Sequence, residues 1–255
     1  MSLAPEDPIL EAIFSGLDLL GPGGPEVARY LAHGLELRPG LSLLEVACGT
    51  GRTACQLARE FGVAIVAMDL ASWALRAAAA RVAREKLEAR IQLRRLDMRE
   101  LPRPFGGRGF DAVLCEGAAH LVGLGAFARS VAPLLKPGGK LALTHLCYVV
   151  EPERVPADVR AFLSEDGEGL PAVGSLEQAL QEVAEAGYER GFAYPLPREA
   201  YELYYGPVRD SVRRLRAQGM RSPVLDRFER EIEIYYGKGG FETAAYVAIV
   251  AEREE

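Results

Sequence analysis

The chain has 255 residues, 49% of them hydrophobic, and a formal net charge of −6. That length supports a single α/β domain with a full core, and the acidic balance argues against nucleic acid as a partner, since such domains carry a strongly basic face. No stretch is apolar for long enough to span a bilayer and no apolar leader opens the chain, so no membrane partner is expected. Cys48, Cys55, Cys115 and Cys147 have neither zinc-ligand nor disulfide-framework spacing. They read as small buried hydrophobes in a reducing, cytoplasmic compartment, with no metal.

Ile9 to Leu20 reads as an amphipathic helix that breaks at Gly21-Pro22-Gly23-Gly24. Pro25 suits the first position of a second helix, through Leu37, which Arg38-Pro39-Gly40 ends. Residues 1–40 are therefore expected to form a helical cap, which on the plainest reading pads an edge of the sheet. Leu43-Leu44-Glu45-Val46-Ala47-Cys48-Gly49-Thr50-Gly51 is a short apolar run ending in glycines, and Thr53 to Phe61 continues with helical spacing. A buried parallel strand, a glycine turn and a helix make the first crossover of a Rossmann-type sheet, where ligands gather beyond the carboxyl ends of the strands.

Two ligands suit that turn. Gly49-Thr50-Gly51-Arg52-Thr53-Ala54 satisfies the G-x-G-x-x-G/A dinucleotide pattern, with Asp69 ending the next strand, which would make the chain an NAD-dependent oxidoreductase. Glu45 speaks against this. A carboxylate aimed at the loop repels a pyrophosphate and suits a ligand carrying an ammonium and a sulfonium.

The stretch resembles the first motif of the class I S-adenosylmethionine-dependent methyltransferases, an acidic residue and two spacers before G-x-G-x-G, with Ala47 in place of the first glycine. The resemblance implies S-adenosyl-L-methionine as cofactor, held around Glu45, Ala47, Gly49 and Gly51. It also implies N-terminal helices folded over the cofactor, which would bring Gly23, Tyr30 and His33 close.

Val63 to Leu70 reads as the second strand. Asp69 at its end is placed to accept both ribose hydroxyls of an adenosine, beside Leu70, or else to cap the helix that follows. Trp73 to Glu88 is strongly helical, and its charges are a solvated face. Ile91 to Leu96 ends in Asp97-Met98, resembling the family's third motif, in which the acid accepts the adenine amino group. After a loop from Leu101 to Gly109, Phe110-Asp111-Ala112-Val113 matches the fourth motif, and Glu116 emerges at that strand's carboxyl end, facing the methionine moiety and the acceptor. Phe127 to Leu135 reads as a helix stopped by Lys136-Pro137-Gly138-Gly139-Lys140, which reverses the chain into a strand from Leu141 to Val149. L-K-P-G-G before a strand resembles one of the more specific signatures of this family, and residues 41–150 are read as the cofactor-binding core.

A helix from Ser175 to Ala186 and strands Tyr188 to Leu196 and Phe241 to Ala251 follow. The expected fold is an α/β, Rossmann-like, doubly wound seven-stranded sheet with helices on both faces, N-terminal helices and a helical insertion, residues 198–238, between strands six and seven. The insertion carries Tyr201, Tyr204, Tyr205, Tyr235 and Tyr236 among Arg209, Arg213 and Arg214. These tyrosines either wall an acceptor pocket or lid, or tie the helices to the sheet, or form a homodimer contact. With Glu116-Gly117-Ala118 and Tyr194-Pro195-Leu196-Pro197, the insertion resembles a small-molecule branch distantly related to the ubiquinone/menaquinone-biosynthesis methyltransferases, a resemblance that covers nearly the whole chain. Where nucleic-acid and protein amino-methylases carry N/D-P-P-Y/F, this chain has Glu116-Gly117-Ala118-Ala119, which points to a small-molecule acceptor.

Methyl transfer from a sulfonium is an in-line displacement in which the protein supplies alignment, dryness and, where needed, a base. His120, His145, Glu116 and Tyr148 are the candidate bases. A thiol or an ionised oxygen acceptor needs none. The motifs report binding rather than turnover, so a non-catalytic S-adenosylmethionine-binding protein is the alternative reading.

Overall fold

The computed structural model describes residues 4–107, 109–164 and 173–254. Seven strands form one sheet in the order β3-β2-β1-β4-β5-β7-β6. They are β1 (Ser42–Val46), β2 (Ala64–Asp69), β3 (Ile91–Arg95), β4 (Phe110–Glu116), β5 (Leu135–Tyr148), β6 (Tyr188–Pro195) and β7 (Ala244–Arg253). The β1–β2, β2–β3, β1–β4 and β4–β5 pairs are parallel, and β7 lies antiparallel between β5 and β6. The strand order reverses between β1 and β4, which opens a crevice at their carboxyl ends.

Successive residues of each strand feed opposite layers. Leu43, Ile65 and Ala67 pack beneath α1 (Pro8–Phe14), α2 (Pro25–Gly34), α3 (Arg52–Phe61) and α4 (Ser72–Arg84). Leu44, Val66 and Met68 face the opposite layer, built on α5 (Leu124–Val131) and, beyond α6 (Ala157–Ser164), on α7 (Leu176–Glu185). The inserted segment forms α8 (Arg198–Ala217) and α9 (Pro223–Gly237), followed by the single turn α10 (Gly240–Thr243). Tyr201, Tyr204, Tyr205, Val208, Val212 and Leu215 recur along one stripe of α8 and are buried on the α1–α4 side. The tyrosines therefore do tie the insertion to the sheet: the Tyr246 amide of β7 donates to the Tyr201 hydroxyl. All four cysteines are buried and free, and among the described residues no helix is long and apolar enough to cross a membrane.

Several boundaries differ from the sequence reading: α2 ends at Gly34 instead of Leu37, α4 at Arg84 instead of Glu88, and β7 begins at Ala244 instead of Phe241, and three further differences have a clear local cause. The first helix ends at Phe14, because Gly16 turns left-handed (φ 79°) and residues 17–24 form an irregular, bent segment over the glycine loop instead of continuing the helix to Leu20. α5 begins at Leu124 and stops at Val131, where Pro133 tightens the chain into a 3₁₀ turn. β5 already starts at Leu135, so the Pro137-Gly138-Gly139 turn is an irregularity inside the strand rather than a lead-in to it. Gly139 permits this, since a Cβ there would meet the Lys136 carbonyl at 2.9 Å.

Asp111 of the F-D pair accepts from the Ser42 amide (2.8 Å) and hydroxyl (2.7 Å) and from Lys136 (2.7 Å). Two of the motif segments thus fix the register of β1, β4 and β5 at the amino ends of the strands. The site lies at the other end.

The bulge in β6 rests on Gly191, where a Cβ would sit 1.3 Å from the Val250 carbonyl oxygen. Gly191→Ala is expected to lower stability by about 3 kcal/mol or more through overpacking against backbone, a fall of roughly 6 °C or more in Tm. Gly237→Ala, at a helical position with open space around it, should leave Tm unchanged or raise it. Thermal unfolding of the two variants checks the pair.

Candidate active site

A single cavity of about 610 Å³ runs from the carboxyl ends of β1 and β2, past the end of β4, to the inserted helices. Its cofactor end is built on the loop after β1. Ala47 (φ 57°), Gly49 (φ 53°) and Gly51 (φ 71°) all take the left-handed conformation, and Ala47 adopts it although it carries a Cβ. Gly49 is required by its cover, because a Cβ would lie 2.8 Å from Leu20 Cδ1. Gly51 faces the other way: it does not line the cavity, and a Cβ there would press on Ala78 of α4 at 2.9 Å. Its role is close helix packing, which corrects its assignment to the cofactor.

Asp69 Oδ2 accepts from the Gly49 amide (2.8 Å) and Oδ1 from the Ala71 amide (2.9 Å). The carboxylate thus braces the glycine loop and the entry to α4 together, and still lines the cavity with lone pairs to spare. Leu70, Asp97 and Met98 line the same end. Asp97 is also bonded to the Arg99 amide (2.9 Å) and guanidinium (3.0 Å). The N-terminal strap covers this end: Trp73 Nε1 donates to the Pro5 carbonyl (2.8 Å), and Glu6 accepts from the Ser72 amide (2.9 Å) and hydroxyl (2.7 Å). Glu6 thereby caps α4 from 66 residues away.

Of the three cap residues named from sequence, only Gly23 lines the cavity. Tyr30 packs its ring on Phe192 and Tyr194 of β6, and His33 packs on Phe61, so neither reaches the cofactor end. α2 points that face at the sheet edge and gives the cavity only the loop preceding it. Tyr148 lies outside the cavity lining too.

The electrostatics centre on Glu45, which is 4% exposed and whose Oε2 has no hydrogen-bond partner. Burial, reinforced by Glu116 and Asp69, holds its carboxyl well above the usual carboxylate range. Burial also raises Glu116 and Asp69, against a Thr53 hydroxyl (2.7 Å) donating to the first and backbone amides donating to the second. Three carboxyl groups that resist ionising together make a site for a cation. The lining also includes Arg52 and Thr53 of α3, which the motif reading passed over because the pattern leaves those positions unspecified.

The far end is the acceptor chamber. His120, just beyond β4, and His145, on β5, both line it, with Glu116 between them and the glycine loop. Burial, with His120 adding to it, pushes His145 down to about 4, so its imidazole is neutral at physiological pH, and its buried Nδ1 has no hydrogen-bond partner. Phe228, Tyr204 and Tyr235 of the insertion and Tyr246 of β7 form the walls, with Phe162 and Leu163 of α6 beyond them. Phe14 joins the two covers, packing on Trp73 (6.2 Å), Tyr204 (6.2 Å) and Phe228 (5.7 Å). Glu231 also lines the chamber and accepts from the Tyr205 hydroxyl (2.7 Å). The sequence reading left α6 unassigned, since its contribution depends on where the chain folds back.

A family profile described as a methyltransferase domain matches residues 43–139. The chain is 30% identical over 210 residues, 82% of its own length and 74% of the relative's, to 27-O-demethylrifamycin SV methyltransferase of Amycolatopsis mediterranei. It is also 30% identical over 133 residues to methyltransferase GfsG of Streptomyces halstedii, where it covers 47% of that relative's length. Its fold superposes with a TM-score of 0.80 on an S-adenosylmethionine-dependent methyltransferase of Thiobacillus denitrificans crystallised with S-adenosyl-L-homocysteine, at 17% identity over 97% of this chain and 99% of that one. The chain belongs to the class I S-adenosylmethionine-dependent methyltransferases.

The residues fit the cofactor: a buried carboxyl without a partner (Glu45), an acid at the end of β2 (Asp69) and a left-handed loop pressed close by Leu20 suit an ammonium, a ribose and a closely held nucleoside. With its folded value raised above the unfolded one, Glu45 keeps its proton to higher pH in the native state, so its contribution to stability falls as pH rises through that interval. Glu45→Gln is expected to raise the Tm of the ligand-free protein by a few degrees at pH 8, and by less at pH 5. Unfolding scans at the two pH values check the sign.

Proposed function

We propose that the chain transfers a methyl group from S-adenosylmethionine to a hydroxyl of a small-molecule acceptor by in-line displacement. The observation that carries this reading is the continuity of the cavity, from the Gly49–Asp69 cradle past Glu116 into a chamber walled by tyrosines and holding a neutral, unpartnered His145. Bound S-adenosylmethionine supplies a methyl group already activated by its sulfonium. On this reading Glu45 holds the ammonium, Asp69 the ribose, and Asp97 with Met98 the adenine, while Leu20 and the strap exclude water. The domain assignment follows: 1–40 as cap, 41–150 as cofactor core and 198–238 as acceptor wall and lid.

His145 Nδ1 is the atom placed to take the acceptor's proton. An imidazole so weakly basic holds a proton only as the acceptor oxygen loses its own basicity, which suits a hydroxyl deprotonated in the course of transfer rather than before it. His120 orients the acceptor beside it. The similarity to a methyltransferase named for an O-demethylated substrate supports an oxygen acceptor. The acidic balance supports a small molecule rather than nucleic acid, and the buried free cysteines support a cytoplasmic setting. The exposed rings of Tyr30, Phe192 and Tyr194 are where a homodimer contact would form.

Calorimetry tests the cofactor. S-adenosylmethionine and S-adenosylhomocysteine should bind and NAD should not, with Asp69→Ala weakening the first two about tenfold or more. Binding of NAD alone would overturn the reading. Transfer of labelled methyl to small-molecule pools, against RNA and protein extracts, tests the acceptor, and no transfer to any of them would leave a non-catalytic cofactor-binding protein.

His145→Asn should lower kcat about a hundredfold at saturating cofactor. His145 is neutral above about pH 4, so the wild-type kcat should show no limb near pH 6.5 from this group and should fall only toward its own value. A kcat–pH profile separates the two cases.

A further inference from the structure

Glu231, on the inserted helix α9, lines the acceptor chamber among four aromatic residues, Tyr204, Phe228, Tyr235 and Tyr246. Its carboxylate is held from behind by the Tyr205 hydroxyl, which donates to Oε1 at 2.7 Å. Tyr205 itself does not line the cavity. Its ring packs on Tyr204 (4.8 Å) and Tyr235 (5.0 Å), so one buried side chain fixes two walls and the carboxylate together. The rings are inclined to one another, Tyr204 to Tyr205 by 60° and Tyr205 to Tyr235 by 34°, as the sides of an enclosure are. Burial raises Tyr204 and Tyr235 and the Glu231 charge adds to both, which places the carboxylate near each of them.

Aromatic rings around a carboxylate suit an ammonium group. The ring quadrupoles attract a cation, and the carboxylate supplies its counter-charge where water is partly excluded. The chamber's other two carboxyl groups are engaged within the protein: Glu116 accepts from the Thr53 hydroxyl (2.7 Å) and Glu182 from the Gly125 amide (2.9 Å). Arg227, the one Lys or Arg to line the chamber among the described residues, stands one turn earlier on α9 and lies over the Phe162 ring of α6 (5.8 Å).

We infer that the acceptor carries a protonated amine as well as the hydroxyl, and that Glu231 holds the amine among the rings of Tyr204, Tyr235 and Tyr246. The inference rests on the reading of this chamber as the acceptor site and narrows the acceptor to hydroxylated amines that are cationic at neutral pH. The amine anchors the acceptor from the helical side, while His120 and His145 meet the hydroxyl from the sheet side. An acceptor with a carboxylate there would meet Glu231 as a like charge.

Two matched series of probes vary only the charge remote from a hydroxyl: tyramine, para-propylphenol and para-hydroxyphenylpropionate; and aminobutanol, pentanol and hydroxypentanoate. Each is titrated calorimetrically into the full-length protein saturated with S-adenosylhomocysteine. In at least one series the amine should bind about tenfold or more tighter than its neutral and acidic partners. Glu231→Gln keeps an oxygen for the Tyr205 hydroxyl; it should weaken the amine about tenfold and change the neutral probe less than twofold, while Glu231→Asp recovers part of the loss. Arg227→Gln should bind the amine at least as tightly as the wild type.

Equal binding of all three members in both series, or no binding of either amine, would overturn the inference. Parallel loss of charged and neutral probes in Glu231→Gln would make the residue structural and overturn it too. Tighter binding of an acid, abolished by Arg227→Gln, would assign an anionic acceptor instead. Methyl transfer to the neutral phenol as readily as to tyramine would leave the hydroxyl reading standing while the inference falls. A wild type that does not bind S-adenosylhomocysteine would remove the cofactor reading and the inference with it.

Discussion

The burial of Glu45 beneath a loop that offers it no partner is the constraint on which the rest of the site depends. A carboxyl group 4% exposed with an unpartnered oxygen is destabilising in the ligand-free chain, and Glu116 and Asp69 add repulsion instead of relief. Such an arrangement persists because the surrounding sheet is stable enough to hold it. β1 is central, paired on both sides, and its neighbours Leu43, Leu44 and Val46 are fully buried. The strain-free part of the fold thus carries a site preorganised for positive charge.

The second constraint is steric. In the loop after β1, three alternate residues, Ala47, Gly49 and Gly51, are left-handed and lift the backbone, and Leu20 lies directly on Gly49. The cover is tied down from both sides: the Thr50 hydroxyl donates to the Asp18 carbonyl (2.9 Å), and the Gly23 amide donates to Ala200 of α8 (3.2 Å). N-terminal cap and inserted helices are therefore one roof, with Phe14 packed on Tyr204 and Phe228 across the join.

Much of this was legible in the sequence, for identifiable reasons. The central parallel strands β1, β2 and β4 are buried on both faces and read as apolar runs, and the glycines of the first loop mark backbone that a side chain would obstruct. What could not be read depends on partners distant in the chain. Helix one stops at Phe14 because the following residues are needed over the loop, which no local propensity reports. Tyr30 and Phe162 show the same limit in opposite directions. The first sits on a helix expected near the cofactor but faces the sheet edge; the second sits on a segment given no role, yet forms the chamber's end. Arg52 went unread because a basic residue opening a helix is ordinarily a solvated one, and only its buried, unpartnered nitrogen marks it out.

The insertion shows why the cofactor is easier to read than the acceptor. Its tyrosine hydroxyls are largely committed within the protein: Tyr205 donates to Glu231, Tyr236 donates to Glu202, and Tyr201 accepts from the Tyr246 amide. Burial, with Glu231 or Tyr246 next in effect, raises Tyr204, Tyr205 and Tyr235 far above the ordinary tyrosine value, so the hydroxyls stay protonated donors. Tyr201, Tyr205 and Tyr236 therefore hold the insertion in place, while the rings of Tyr204 and Tyr235 shape the chamber. Polar discrimination is shared between His120 and His145 on the sheet side and Glu231 on α9. Sheet-side groups are fixed by the same strands that hold the cofactor, whereas the walls on α8 and α9 can change size without disturbing β1 or β2. An acceptor is then selected by the volume between aromatic side chains, a property of packing that no spacing of residues in the sequence encodes.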